Sequence, residues 1–142
     1  MGCDHHLPLL RCRLFAEQLA EQRQIPLHQE PRLREIAFGD WEGRTSENIM
    51  ADTPEALNRF WSDPVRYPPP GGEAITEFRQ GQQRLAGLAN PGGRQAVLVV
   101  CHGGVIRMLL AEVMGIPTER SFSALTVPYA CRSRCVQRPA VC

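Results

Sequence analysis

Apolar residues recur every three or four positions in three long stretches of the chain, and this spacing predicts three helices. The first covers about Leu9–Gln24, the second runs from Ile75 to about Asn90, and the third follows His102 and ends at Gly115. We expect each helix to bury one apolar face against another element. The expected faces, in chain order, are Leu10, Leu14, Phe15 and Leu19; Ile75, Phe78, Leu85 and Leu88; Ile106, Leu109, Leu110 and Val113.

Local start and stop signals predict two shorter helices between the first and second of these. Thr45 or Ser46 can cap one of them. The other begins at Thr53-Pro54-Glu55, which combines a capping hydroxyl, a proline at the first helical position and an acid. It stops at Asp63-Pro64, because proline disfavours a helical conformation in the residue before it. Its predicted apolar residues are Leu57, Phe60 and Trp61.

The segments outside the helices predict strands and one ordered loop. Ala96–Cys101 is continuously apolar, which is typical of a strand covered on both faces. Leu27–Gln29 and Ser121–Ala130 can form shorter strands, whereas the prolines and glycines of Tyr67–Gly72 predict a loop. Because helices alternate with strands, the predicted fold class is a layered α/β domain. We expect residues 1–142 to form this single domain, with an irregular tail over Cys131–Cys142.

Composition and charge exclude several classes of protein. The net charge of +1 gives no electrostatic reason to expect nucleic acid or an anionic membrane as a partner. The chain has no apolar run near the roughly 18 residues of a membrane span. Its six cysteines form no C-x-x-C pair, and Cys12 and Cys101 fall in segments predicted to be core, which favours a reducing, cytoplasmic compartment. Without a metal-ligand cluster or a dinucleotide fingerprint, we expect no cofactor.

The strongest local unit is the predicted strand that ends at His102, followed by Gly103, Gly104 and a helix. A side chain at the carboxyl end of a buried strand points into the crevice where open α/β sheets bind ligands. The helix start offers free N–H groups, and the glycines allow an anion to approach the backbone closely. His102 is therefore a candidate contact for a phosphoryl group; the alternative is a turn histidine without a ligand.

Four segments, in order, resemble motifs of the histidine phosphatase superfamily, which includes the phosphoglycerate mutases. Leu9–Ala16 is similar to a segment bearing a phosphate-binding arginine, and Leu33–Gly43 to a loop bearing an acid. Pro69–Glu73 resembles the step before a long helix, and Val99–Arg107 the second-histidine motif. The resemblance covers about residues 9–130. The Trp61–Glu73 pattern is most similar to the α-ribazole phosphatase-like members.

The resemblance implies a three-layer α/β/α fold and hydrolysis of a small phosphorylated metabolite. It implies that Arg11 clamps the phosphate, and that His102 and Gly103 also bind it. Glu35 would protonate the leaving alkoxide, a role that requires a carboxyl group with a raised pKa. Four further residues are expected to support the fold: Trp41, Glu42, Arg44 and Glu73.

One part of the family pattern is not met by these 142 residues. The family begins with a strand ending in Arg-His-Gly, whose histidine becomes phosphorylated. No histidine of this sequence stands in such a motif in the right order; the four are His5, His6, His28 and His102. We therefore expect a fold incomplete at the N-terminus, from which about a third of a typical family domain is missing. An interior strand contributes pairing and several buried side chains, each worth about 1.5–3 kcal/mol. The 142-residue chain should be marginally stable, with little or no phosphatase activity.

Two alternative functions remain at this point. Cys101–Arg107 fits C-x5-R, the phosphate loop of Cys-dependent phosphatases, in which Cys101 would be the nucleophile and Arg107 would bind phosphate. Arg11 and His102 could instead hold a phosphate ligand without turning it over, in a non-catalytic binding protein.

Overall fold

The computed structural model describes residues 10–86 and 97–134, and for residues 83–86 it covers the backbone alone. Short 3-10 turns lie at Pro31–Leu33, Gly39–Trp41 and Thr118–Arg120. Within the described ranges the chain forms six α-helices, which are α1 (Leu10–Arg23), α2 (Ser46–Asp52), α3 (Pro54–Ser62), α4 (Ile75–Ala86), α5 (Gly103–Met114) and α6 (Ser121–Ala124).

The predicted helix boundaries of α1, α2, α3 and α5 are confirmed to within one or two residues. The Thr45 hydroxyl caps α2 by accepting a hydrogen bond from the Asn48 amide at 3.2 Å. Pro54 occupies the first position of α3, which ends one residue before Asp63. Gly115 ends α5 with a φ of 67°, a left-handed conformation that favours glycine. The expected end of α4 near Asn90, with Leu88, lies outside the described residues.

The core lies where α3, α4 and α5 enclose the loop at residues 33–43. Phe60 of α3 is at its centre, with ring centroids 5.5 Å from Trp41, 6.3 Å from Phe38 and 4.6 Å from Phe122. Edge-on and tilted pairs of this kind are favourable arrangements for aromatic rings. The buried apolar cluster consists of Ile36, Trp41, Ile49, Leu57, Phe60, Ile75, Phe78, Val105 and Met108.

The predicted apolar faces of α1 and α5 differ from those observed. Leu14 and Phe15 of α1 are exposed, and α1 buries no residue. In α5 the buried positions are Gly104, Val105, Met108 and Ala111, whereas Val113 is 66% exposed. The sequence of α5 is apolar on most of its circumference, so periodicity could not select the face. Packing against Ile36 and α4 decides which residues are buried.

None of the three predicted strands is formed among the described residues. Residues 25–30 and 97–100 are neither helical nor paired, and Val97 and Leu98 are 57% and 60% exposed instead of covered on both faces. A strand requires a neighbouring strand for its backbone hydrogen bonds, and the described ranges supply none. The start of the segment predicted as Ser121–Ala130 is helical instead, because Phe122 packs on Phe60 from α6.

The loop at residues 33–43 is fastened to residues 69–73 by backbone hydrogen bonds. The Asp40 amide donates to the Pro70 carbonyl at 2.9 Å, and the Glu73 amide donates to the Ala37 carbonyl at 2.8 Å. Gly39, with a φ of 59°, lies so close to this segment that a Cβ atom there would collide with backbone atoms of Pro70 and Gly71. The expected ordered loop at Tyr67–Gly72 is thus the support on which residues 33–43 rest.

Replacing Gly39 with alanine should destabilise the chain far more than the same change at Gly43. Both residues have a positive φ, which costs a residue with a side chain about 1–2 kcal/mol. Only Gly39→Ala also forces its Cβ into the neighbouring backbone, which adds about 1–3 kcal/mol. Urea unfolding of both variants measures the difference, and equal losses at the two positions would contradict the described packing.

Candidate active site

His102 lies at the junction between the extended residues 97–101 and α5, where its backbone forms the N-cap of the helix. Its side chain is only 3% exposed. Gly103 follows as the first residue of the helix, and a Cβ atom there would meet nothing within 4 Å. The backbone at Gly103 is therefore open on the side where a side chain would otherwise project.

Arg11, on the first turn of α1, reaches the buried histidine from an exposed position. Its Nη2 atom lies 3.3 Å from His102 Nδ1. Because a guanidinium can only donate, Nδ1 must accept, and the proton of the neutral ring is then on Nε2. Cys12, the next residue on α1, donates its thiol proton to the Cys101 carbonyl at 3.4 Å. The start of α1 is in this way joined to the residues before α5.

The Nε2 atom of His102 is buried and has no hydrogen-bond partner among the described residues. A buried N–H group that donates to nothing costs about 1–3 kcal/mol. An acceptor atom from a ligand would remove that cost. Arg11 thus places a permanent positive charge at one ring nitrogen, and the other ring nitrogen is a buried donor that is not used among the described residues.

Glu35 lies in the loop at residues 33–43, on the other side of the first turn of α5. Its carboxyl group accepts hydrogen bonds from the Gly104 amide at 3.2 and 3.4 Å and from the Ile36 amide at 3.0 Å. A Cβ atom at Gly104 would collide with the Glu35 carboxyl, so this glycine makes the approach possible. Of the N–H groups expected to be free at the helix start, the one at Gly104 is thus already used by Glu35.

Burial shifts the pKa values of the two titratable groups in opposite directions. It raises the pKa of Glu35, against the hydrogen bonds from Ile36 and Gly104 and the positive charges of Arg11 and Arg107. It lowers the pKa of His102 to about 4, and the nearby Arg11 charge adds to this effect. At neutral pH the histidine is therefore uncharged when no anion is bound.

The environment of Cys101 is unfavourable for the thiolate that a Cys-dependent phosphatase requires. Burial is the main reason why the pKa of Cys101 is raised to about 12, and the neighbouring Cys12 and Glu35 reinforce it. The Arg107 guanidinium stacks on Phe122, with its Cζ atom 4.7 Å from the ring centroid. The thiol is protonated at neutral pH, which removes the nucleophile of that alternative.

Four residues were expected to support the fold, and each makes a contact of that kind. Trp41 is in the core, and the Glu42 carboxyl accepts from the Phe38 amide at 2.7 Å. Arg44 donates to the Asn48 carbonyl and to the Asp52 carboxyl, and Glu73 pairs with Arg34. Sequence reasoning missed Arg34, although it stands next to Glu35. It expected Gly104 to allow the approach of an anion, and the group that approaches Gly104 is the Glu35 carboxyl.

The structure brings Arg11, Glu35 and His102 to one end of α5. Within residues 10–86 and 97–134, no cluster of three His, Cys, Asp or Glu side chains has a geometry suited to a metal ion. No helix in those ranges combines the length and the apolar character that crossing a membrane demands.

The comparison with known protein families agrees with this arrangement. Residues 4–139 match the model of the histidine phosphatase superfamily (branch 1). With nearly the whole sequence matched, the chain belongs to this superfamily.

Individual proteins and solved structures of this superfamily are also similar to the chain. The chain is 34% identical, over 112 residues, to the adenosylcobalamin/alpha-ribazole phosphatase of Escherichia coli K12, a match that covers 78% of this chain and 55% of that protein. Among solved structures, Bacillus stearothermophilus YhfR is 34% identical with a TM-score of 0.68, covering 84% of this chain and 58% of that one. A mycobacterial glucosyl-3-phosphoglycerate phosphatase in complex with inorganic phosphate is 30% identical with a TM-score of 0.67, covering 84% and 64%. The chain thus spans about half the length of the curated relatives it matches.

His102 should make the stability of the folded chain depend on pH. Its pKa is about 4 when folded and near the ordinary 6.5 when unfolded, so the unfolded chain binds the proton more readily. The free energy of unfolding should therefore rise by about 3 kcal/mol between pH 4 and 6.5. The raised pKa of Glu35 acts in the opposite direction.

Urea unfolding at several pH values measures this dependence, and His102→Gln should remove the part that His102 contributes. His28→Gln is the matched control, because His28 is exposed. If the free energy of unfolding of His102→Gln rose with pH as steeply as that of the parent chain, the result would contradict the described burial of His102.

Proposed function

We propose that the chain provides the phosphate-binding and proton-donating residues of a phosphomonoester hydrolase of the histidine phosphatase type. The unused donor at His102 Nε2, with the Arg11 guanidinium on the other ring nitrogen, is the observation that carries the proposal. Membership of the superfamily supports it, because its relatives named above are phosphatases.

In this proposal the phosphate is bound by Arg11, His102 and the open backbone at Gly103. The Arg11 side chain has several donors and is exposed, so it can contact a phosphate oxygen while remaining close to His102. His102 donates from Nε2, and a bound dianion would raise the pKa of the ring above its value in the free chain. The neutral ring already carries its proton on Nε2, so it can donate to phosphate while Nδ1 still accepts from Arg11.

Glu35 is proposed as the acid that protonates the leaving alkoxide. A carboxyl group can do this near neutral pH only if its pKa is raised, and burial acts in that direction here. The proton would pass from the Glu35 carboxyl to the ester oxygen as the bond from that oxygen to phosphorus breaks and phosphorus bonds to the nucleophile, which Glu35 does not supply. The resulting carboxylate would keep its hydrogen bonds from the Ile36 and Gly104 amides.

The nucleophile is the part of the reaction that these 142 residues do not provide in the expected form. His28 is exposed, beyond the end of α1, and His102 is committed to binding phosphate in this proposal. We therefore propose that the chain as given binds phosphate but turns over no phosphomonoester by itself. A non-catalytic phosphate-binding role is the second candidate, favoured by the same pairing of Arg11 with His102.

Several finer features are also part of the proposal. Residues 1–142 would belong to one domain with the three-layer α/β/α architecture of a phosphoglycerate mutase-like fold, and TM-scores of 0.67–0.68 to solved relatives support the likeness. The ligand would be a small phosphorylated metabolite, of the α-ribazole phosphatase-like or phosphoglycerate mutase-like kind. The described cysteines carry free thiols, in keeping with a reducing compartment such as the cytoplasm. No cofactor is proposed.

Inorganic phosphate should bind to the purified chain, and Arg11→Gln should weaken the binding about 10- to 100-fold, as expected for a lost charge-assisted hydrogen bond. Isothermal titration calorimetry measures the affinity. Arg23→Gln is the matched control, because Arg23 is an exposed arginine at the other end of the same helix. Equal affinities for the parent and Arg11→Gln would contradict the proposed site.

The 142-residue chain should release no phosphate from a phosphomonoester such as p-nitrophenyl phosphate above the uncatalysed rate. The physical reason is that Arg11, Glu35 and His102 can bind and protonate but do not supply an attacking group. The rate of product formation at a range of protein concentrations measures this hydrolysis. Turnover like that of a full-length relative would overturn the proposed inactivity, while binding without turnover would support it.

A further inference from the structure

We infer that Arg34 and Glu73 are positioning residues for Glu35: their ion pair holds the Glu35 backbone in place and keeps Arg34 away from the Glu35 carboxyl group. The inference rests on the proposed function of Glu35 as proton donor. Arg34 was not singled out from the sequence, and Glu73 was expected only to support the fold.

The ion pair itself has the two-pronged geometry in which arginine binds a carboxylate most strongly. Arg34 Nη1 donates to Glu73 Oε2 at 2.8 Å, and Nη2 donates to Oε1 at 2.6 Å. The Glu73 side chain is only 14% exposed. Partial burial limits screening by solvent, so this pair is more persistent than an exposed one.

The pair also holds the backbone on both sides of the Glu35 side chain. Arg34 Nη1 donates to the Glu35 carbonyl at 3.1 Å. Two residues further on, the Ala37 amide lies 3.4 Å from Glu73 Oε2, and the Ala37 carbonyl accepts from the Glu73 amide at 2.8 Å. Glu73 stands two residues before α4, so the loop that bears Glu35 is attached to the start of a helix.

The same pair determines which charges act on Glu35. Its carboxyl group is influenced by the Arg11 and Arg107 cations and by the amides of Ile36 and Gly104, while Cys12 and Cys101 are the neighbouring thiols. Arg34 is the residue next to it in sequence, and its guanidinium is bound to Glu73 instead. A free Arg34 could pair with Glu35, and an opposite charge at that distance would favour the ionised carboxyl group. Glu73 thus protects the ability of Glu35 to hold a proton.

The test is the titration of Glu35 in the 142-residue chain, followed by NMR of its ¹³C-labelled carboxyl group. Glu73→Gln removes the negative charge but keeps the shape of the side chain, so it frees Arg34 and loosens the hold on Ala37. We expect the pKa of Glu35 to fall towards the ordinary value of a glutamate in this variant. In Arg34→Gln we expect a smaller fall in the pKa of Glu35, because the loop at residues 33–43 is loosened but no arginine is freed to pair with Glu35.

Arg44→Gln is the matched control, because it breaks an ion pair with the exposed Asp52 outside this contact network. It should leave the pKa of Glu35 unchanged. If Arg34→Gln or Glu73→Gln fails to fold, Arg34→Lys is the substitute. Lysine keeps the positive charge but cannot bind Glu73 with two parallel hydrogen bonds, so we expect the pKa of Glu35 to fall in this variant as well. A role in stability alone predicts lower unfolding midpoints with an unmoved Glu35 titration, and that result would overturn the inference.

Phosphate affinity, measured in parallel, separates this inference from the proposed function. Arg11 and His102 are not contacted by the pair, so we expect Glu73→Gln to change phosphate affinity by less than about twofold. If the parent binds no phosphate, the proposed function fails, whereas the Glu35 titrations still decide whether Arg34 and Glu73 position that residue.

Discussion

The carboxyl group of Glu35 accepts hydrogen bonds from the first turn of α5, and the arrangement of the site depends on this contact. A carboxyl group can be buried only where donors are available to it, and the Ile36 and Gly104 amides are those donors. The contact requires a glycine at position 104 and a loop at residues 33–43 that cannot move away. Hydrogen bonds from residues 69–73 and the aromatic cluster around Phe60 hold that loop in place.

Burial shifts both titratable groups of the site towards their uncharged forms. It favours the protonated form of Glu35 and the uncharged form of His102. The two shifts bring the pKa values towards each other, because the ordinary value of a histidine is higher than that of a glutamate. Arg11 supplies a charge that does not vary with pH, so binding of an anion does not depend on prior protonation of the histidine.

Several apolar side chains of the described residues lie outside the core. Leu14 and Phe15 of α1 and Val97 and Leu98 before α5 are exposed, although the sequence predicted them to be buried. Each would contribute about 1.5–3 kcal/mol if it were covered. These two segments also carry Arg11 and lead into His102, so exposed apolar surface adjoins the candidate site.

Local chemistry in the sequence was enough to predict most helices and to indicate His102, whereas the other members of the site came from a resemblance to a family. Thr45, Pro54 and Gly115 act within a few residues of themselves, so their capping and turn signals can be interpreted without knowing the fold. The resemblance to a family singled out Arg11, Glu35 and His102, which lie close together here. The Arg34–Glu73 pair and the buried face of α5 were not predictable in this way. A bond between residues 39 positions apart, and a choice among equally apolar helix faces, depend on which segments pack together, and that is determined only when the chain folds.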